Sequence, residues 1–124
     1  MATRSLISVV DDDESVRESL EGLLRSVGFA VKVFASAEEF LKSDYLRDTA
    51  CLILDVRMPG MSGIELHRHL VASHSEVPVI FITAHGFEQE TRPRAIRDGA
   101  VDYLSKPFSE EALLNAVRTA LGPK

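Results

Sequence analysis

Four apolar stretches of this chain each run out on polar residues able to do chemistry. Leu6-Ile7-Ser8-Val9-Val10 stops at Asp11-Asp12-Asp13, Cys51-Leu52-Ile53-Leu54 at Asp55, and Val79-Ile80-Phe81-Ile82 at Thr83. Val101 to Ser105 is followed by Lys106-Pro107. Brought together, Asp11, Asp12 and Asp55 place about three negative charges in one shallow pocket, where they repel unless a cation intervenes. Hard carboxylate oxygens suit Mg²⁺ (or Mn²⁺), which binds through one or two carboxylates, keeps several waters and accepts phosphate oxygens. Two charges from such a metal and one from Lys106 balance the trio. An incoming phosphoryl group upsets that balance unless its oxygens coordinate the metal and bond Lys106 and Thr83. Phosphoryl transfer depends mostly on positioning and charge neutralisation, and this set offers both. Asp55 is then the nucleophile and an acyl phosphate the product.

For these residues to meet, the apolar runs must be neighbouring parallel strands whose C-terminal ends share one rim. The pattern between the runs supports this. Val16, Leu20, Leu23, Leu24 and Val27 recur at steps of three and four and stop at Gly28, which reads as a helix. A strand is expected at Ala30 to Phe34, then a short helix opened by the capping box Ser36-Ala37-Glu38-Glu39. Ile64, Leu66, Leu70 and Val71 mark a third helix after the turn-rich Pro59-Gly60-Met61-Ser62-Gly63. A helix is also expected between Glu88 and Asp98; Pro93 inside it argues for a short one that begins near that proline. Ser109 caps a last helix with Glu110 and Glu111 in its first turn. Strands alternating with helices imply an α/β fold, a doubly wound parallel (βα)5 sheet with strand order 2-1-3-4-5. In that order strands one, three and four are adjacent, and ligands bind where the order reverses.

The composition fits one soluble domain spanning residues 1–124. The 124 residues are 45% hydrophobic and 27% charged, enough for one core. A net charge of -5 argues against nucleic-acid binding by this chain alone. No apolar run approaches the length of a membrane span, and Met1 to Leu6 carries no signal-peptide pattern. A single cysteine excludes an intramolecular disulfide and fits the reducing cytoplasm, the expected location.

Val9-Val10-Asp11-Asp12, Leu54-Asp55 with Met58-Pro59-Gly60 and Gly63, Ile82-Thr83-Ala84 and Lys106-Pro107-Phe108 resemble the response-regulator receiver domain of two-component signalling, a flavodoxin-like fold. The likeness runs from Leu6 to about Leu121. Val10 to Ser19, His85-Gly86 and Gly99-Ala100-Val101-Asp102-Tyr103 look most like the FixJ-like subgroup. The resemblance implies that Asp11 and Asp12 hold Mg²⁺ together with Asp55 and the backbone carbonyl of Arg57. It implies that Asp55 is the phosphoacceptor, becoming a 4-aspartylphosphate, and that Lys106 grips a phosphoryl oxygen beside a cis Lys106-Pro107 peptide. Thr83 and Tyr103 match the switch pair, in which the hydroxyl moves and the aromatic turns inward. His85 lies where side chains tune hydrolysis of the phosphoaspartate. The implied donor is a sensor histidine kinase or a histidine phosphotransfer protein. The implied receiver catalyses its own phosphorylation and dephosphorylation, and its output is a phosphorylation-dependent homodimer or a target protein. Similar FixJ-like proteins often continue into a DNA-binding domain; no output domain is expected within this chain.

Blander roles compete at several positions. Asp13 reads as a helix N-cap, Cys51 as a small core residue, and His67, His69 and His74 as surface or half-buried side chains. Tyr103 is balanced between a mobile switch and a static half-buried ring. An FMN-binding protein shares the fold class, but Asp11-Asp12-Asp13 would repel the phosphate of a flavin. A small aspartyl phosphatase needs a substrate-covering cap for which the chain leaves little room. A receiver reduced to an interaction module is disfavoured because no expected site residue is missing.

Overall fold

A computed structural model describes residues 5–84 and 99–122. Among these, five strands form one sheet: β1 (Leu6–Val10), β2 (Ala30–Phe34), β3 (Thr49–Asp55), β4 (Val79–Ala84) and β5 (Asp102–Lys106). All neighbours pair in parallel, in the order β2-β1-β3-β4-β5. The described helices are α1 (Glu14–Ser26), α2 (Ala37–Lys42), α3 (Gly63–Ala72) and α4 (Glu110–Leu121). The α/β architecture and the strand order are those expected from the sequence. The helix expected between Glu88 and Asp98, with Pro93 and His85, lies outside the described residues.

Alternation along the strands divides the core in two. Val10, Leu52, Leu54, Phe81 and Tyr103 face one side, where Phe40 of α2 and Leu66 and Leu70 of α3 pack on them. Ile7, Val9, Ile53, Ile80 and Ile82 face the other, against Leu20 and Leu24 of α1 and Leu113 and Val117 of α4. β3 and β4 are therefore covered on both faces, which is why they read as continuous apolar runs. Their burial leaves polar side chains a place only where the strands end.

Local chemistry sets the helix starts. Asp13 caps α1, its carboxylate accepting from the backbone N–H groups of Ser15 and Val16. Ser36 caps α2 by accepting from Glu39 N, but the Glu39 carboxylate reaches back to Ala35 N rather than to Ser36. The reciprocal box occurs instead at α3, between Ser62 and Glu65.

Two features depart from expectation. β3 begins at Thr49, after a short 3₁₀ turn at Leu46–Asp48, because a buried Ser8–Thr49 hydroxyl pair at 2.7 Å joins this polar stretch to β1. His67 is buried rather than surface or half-buried: it sits on the inner face of α3 and meets Phe81 edge-on, ring centroids 5.3 Å apart. No helix among the described residues is long and apolar enough to cross a membrane.

Candidate functional site

The rim at the C-terminal ends of β1, β3 and β4 collects the acidic residues. Asp11 is the first residue past β1, and its backbone N–H donates to Phe34 O, so it stays in register with β2. Asp55 is the last residue of β3 and stands opposite Ile82 of β4. Carboxylate oxygens of Asp11, Asp12 and Asp55 all lie within 4.8 Å of one another. Asp11 and Asp55 are buried and Asp12 is exposed, so the cluster opens to solvent through Asp12.

Among the described residues, Lys106 brings a cation to the site. It ends β5 opposite Ala84 and carries its Nζ to 3.0 Å from Asp11 Oδ2 and 3.8 Å from Asp55 Oδ1. The Lys106-Pro107 peptide is cis. One ammonium cannot balance three carboxylates. Burial first, and then the charge of Asp11, push the Asp55 carboxyl up from 3.8 to about 7, against the pull of Lys106. Asp11 is held differently. Its Oδ1 accepts from Asp13 N at 2.8 Å, while its fully buried Oδ2 has the Lys106 charge nearby but no bond of hydrogen-bonding geometry. The Asp11 carbonyl accepts from the Arg17 guanidinium at 2.8 Å.

These features fit a divalent cation. An under-satisfied buried carboxylate oxygen, two further carboxylates within reach and an all-oxygen donor set are what a hard ion of the magnesium type takes.

Thr83 lies in β4 opposite Ser105, one residue beyond the partner of Asp55. It is completely buried, and its hydroxyl has no hydrogen-bond partner among the described residues. A buried hydroxyl without a partner costs stability, so it is out of place in a purely structural role. The Tyr103 ring is buried, with its centroid 6.1 Å from that of Phe81, so in this structure the aromatic is turned inward. Cys51 is a core residue, as expected, and burial pushes its thiol up to about 12. His85 lies outside the described residues.

The loop from Val56 to Ser62 carries Arg57, and two of its contacts escaped the sequence reasoning. A Cβ on Gly63 would stand 2.1 Å from the Asp55 carbonyl oxygen, so α3 can start beside the acidic residue only with glycine there. The Glu38 carboxylate, from α2, accepts from Met61 N at 3.0 Å. The spacing Ser62-x-x-Glu65 was a readable signal for the helix start; nothing local points from Glu38 to Met61.

Comparison with known proteins agrees with this geometry. Residues 7–118 match the family model described as the response regulator receiver domain. The chain is similar to the response regulator protein TmoT of Ectopseudomonas mendocina, 49% identical over 94% of this chain and 53% of TmoT. It is also similar to the transcriptional regulatory protein FixJ of Azorhizobium caulinodans, 45% identical over 94% of this chain and 54% of that protein. Among solved structures, FixJ-N superposes with a TM-score of 0.85 at 39% identity, covering 97% of this chain and 95% of that one. The chain thus spans about half the length of these curated relatives. A family match over nearly its whole length, on a fold that gathers the acidic rim and its lysine, means that the chain belongs to the response-regulator receiver domain family, with FixJ among its relatives.

Proposed function

We propose that residues 1–124 act as one phosphoryl-accepting unit in a two-component phosphorelay and that Asp55 is the acceptor. The observation that carries this is the meeting of Asp11, Asp12 and Asp55 within 4.8 Å, with Lys106 Nζ 3.0 and 3.8 Å from two of them. The carboxylates of Asp11, Asp12 and Asp55 and the carbonyl of Arg57 would hold Mg²⁺, which when bound neutralises charge on the acids and on the phosphoryl oxygens.

The chain's own residues do the rest. A carboxylate oxygen of Asp55 attacks phosphorus as the bond from phosphorus to the donor's imidazole nitrogen breaks, and the electron pair leaves with the imidazole. Asp55 must be ionised to attack; burial and Asp11 oppose this, so reactivity depends on the cation that offsets them. Lys106 shifts its ammonium from the carboxylates to a phosphoryl oxygen. The Thr83 hydroxyl, which has no partner among the described residues, gains an acceptor once Asp55 is modified. The bonds that exist only in the phosphorylated form bias an inactive–active equilibrium, in which Thr83 moves and Tyr103, already turned inward here, is held in that position. The donor is a sensor histidine kinase or a histidine phosphotransfer protein. The output is a phosphorylation-dependent dimer, a target protein or an output domain such as the longer relatives have room for.

The test uses a small phosphodonor. Incubation with acetyl phosphate should add one phosphoryl group to the intact mass in Mg²⁺ and none in EDTA. A purified protein indifferent to both reagents would refute the proposal.

A further inference from the structure

We infer that Glu38 is a positioning residue for the metal site: from α2 it clamps the loop that presents the Arg57 carbonyl. This rests on the proposed role of that carbonyl and goes beyond it by naming what holds it. The loop leaves β3 at Asp55 and must turn back into α3 at Gly63 within eight positions. One tie closes its base, the bond from Gly63 N to Val56 O at 3.0 Å. The stretch between, Arg57 to Ser62, includes Gly60 in the left-handed region, at φ 75°. Met58 is buried in the core and Met61 packs against it, which seats the loop's side chains; the peptide turn at Gly60 still has several alternatives unless an outside partner fixes it.

Glu38 supplies that outside contact. Its Oε2 accepts from Met61 N at 3.0 Å and would lie 2.7 Å from a Cβ on Gly60, so the carboxylate rests directly on the turn. The anchor is seated in the core: Ala37 and Phe40, which bracket Glu38 and Glu39 in α2, are completely buried and Phe40 packs edge-on against Phe34, centroids 5.2 Å apart. Glu38 is exposed and separated from Met61 by 23 positions, so core packing does not account for the contact. The bond from Met61, and after it the Glu38 backbone N–H, hold its carboxyl below the usual range. The carboxylate thus acts on the metal through the backbone, as outer partners orient ligands in other metal sites.

The experiment measures Mg²⁺ affinity by calorimetry in wild type, Glu38→Ala and Glu38→Gln, with amide exchange at Met61 and melting in EDTA followed in parallel. Outer partners of metal ligands typically change affinity about 10–100-fold; an exposed partner acting through one carbonyl should lie near or below that lower bound, about three- to tenfold for Glu38→Ala. Glu38→Gln keeps an oxygen acceptor and should stay within about twofold of wild type. Met61 exchange should quicken in Glu38→Ala alone, and melting in EDTA should be unchanged in both. Equal affinities for wild type and Glu38→Ala, or unaltered Met61 exchange, would overturn the inference. Equal losses in both variants would also do so, because charge rather than the clamp would then be responsible. If wild type binds no Mg²⁺, the site assignment falls and this inference with it. Binding by wild type and Glu38→Ala alike sinks the inference alone.

Discussion

Replacing Asp55 by Asn should stabilise the metal-free protein, and more so as pH rises. The cause is the crowding of the acidic rim: burial and Asp11 raise the Asp55 carboxyl from 3.8 to about 7. A carboxyl raised by folding binds its proton more tightly in the native state than in the unfolded one. Between about pH 4 and 7 the native state therefore holds more protons, and stability falls as pH increases through that window. At about 1.4 kcal/mol per pH unit, the full penalty above pH 7 is at most about 4 kcal/mol. Asp55 borders exposed Asp12, so water and rearrangement relieve part of it. About 2 kcal/mol should remain, or roughly 8 °C in Tm for a domain of this size. The chain has no tryptophan, so circular dichroism in urea is the suitable probe. Unfolding in EDTA should show Asp55→Asn more stable by about 2 kcal/mol at pH 8 and by well under 1 kcal/mol at pH 4.5. Saturating Mg²⁺ should shrink the difference at pH 8, because wild type gains binding energy with its full ligand set. A variant less stable than wild type in EDTA, or one whose advantage ignores pH, would refute the electrostatic account.

Other substitutions test the remaining parts. Gly63→Ala drives a Cβ to 2.1 Å from a backbone oxygen that cannot yield, and should cost on the order of 3 kcal/mol or more in urea unfolding. Thr83→Val swaps a buried hydroxyl without a partner for a methyl group, and should leave stability unchanged or raise it by about 1 kcal/mol. The same variant should lose the change in Tyr103 resonances that acetyl phosphate produces in wild type; its persistence would exclude Thr83 from the switch. His85→Ala should alter the lifetime of the phosphorylated form modestly, and equal lifetimes would remove His85 from hydrolysis.

Most of the fold was legible because the sheet announces itself twice. β3 and β4 are apolar on both faces, so Leu52 to Leu54 and Val79 to Ile82 read as buried strands without any structure. Their burial also made Asp55 and Thr83 conspicuous, since a polar residue following such a run must lie at the rim. The Asp13 cap was legible for a local reason, its bonds lying within three residues. The beginning of β3 was not, because Thr49 is tied in by Ser8, 41 positions away. His67 was misjudged because its polarity outweighed its helical position; one turn before Leu70 and next to Leu66, it points to Phe81. Glu38 was hidden for the same reason as Thr49. Contacts between distant segments leave no periodic trace, and a capping-box glutamate next to it drew the attention.

The central claim is that one carboxylate out of the acidic trio becomes the acyl phosphate. Borohydride reduces an acyl phosphate to an alcohol, converting a phosphorylated aspartate to homoserine, which peptide mapping locates. After treatment with acetyl phosphate and Mg²⁺, homoserine should be found at position 55 and at neither 11 nor 12. Label at Asp11 or Asp12, or label at position 55 formed equally well in EDTA, would contradict the account.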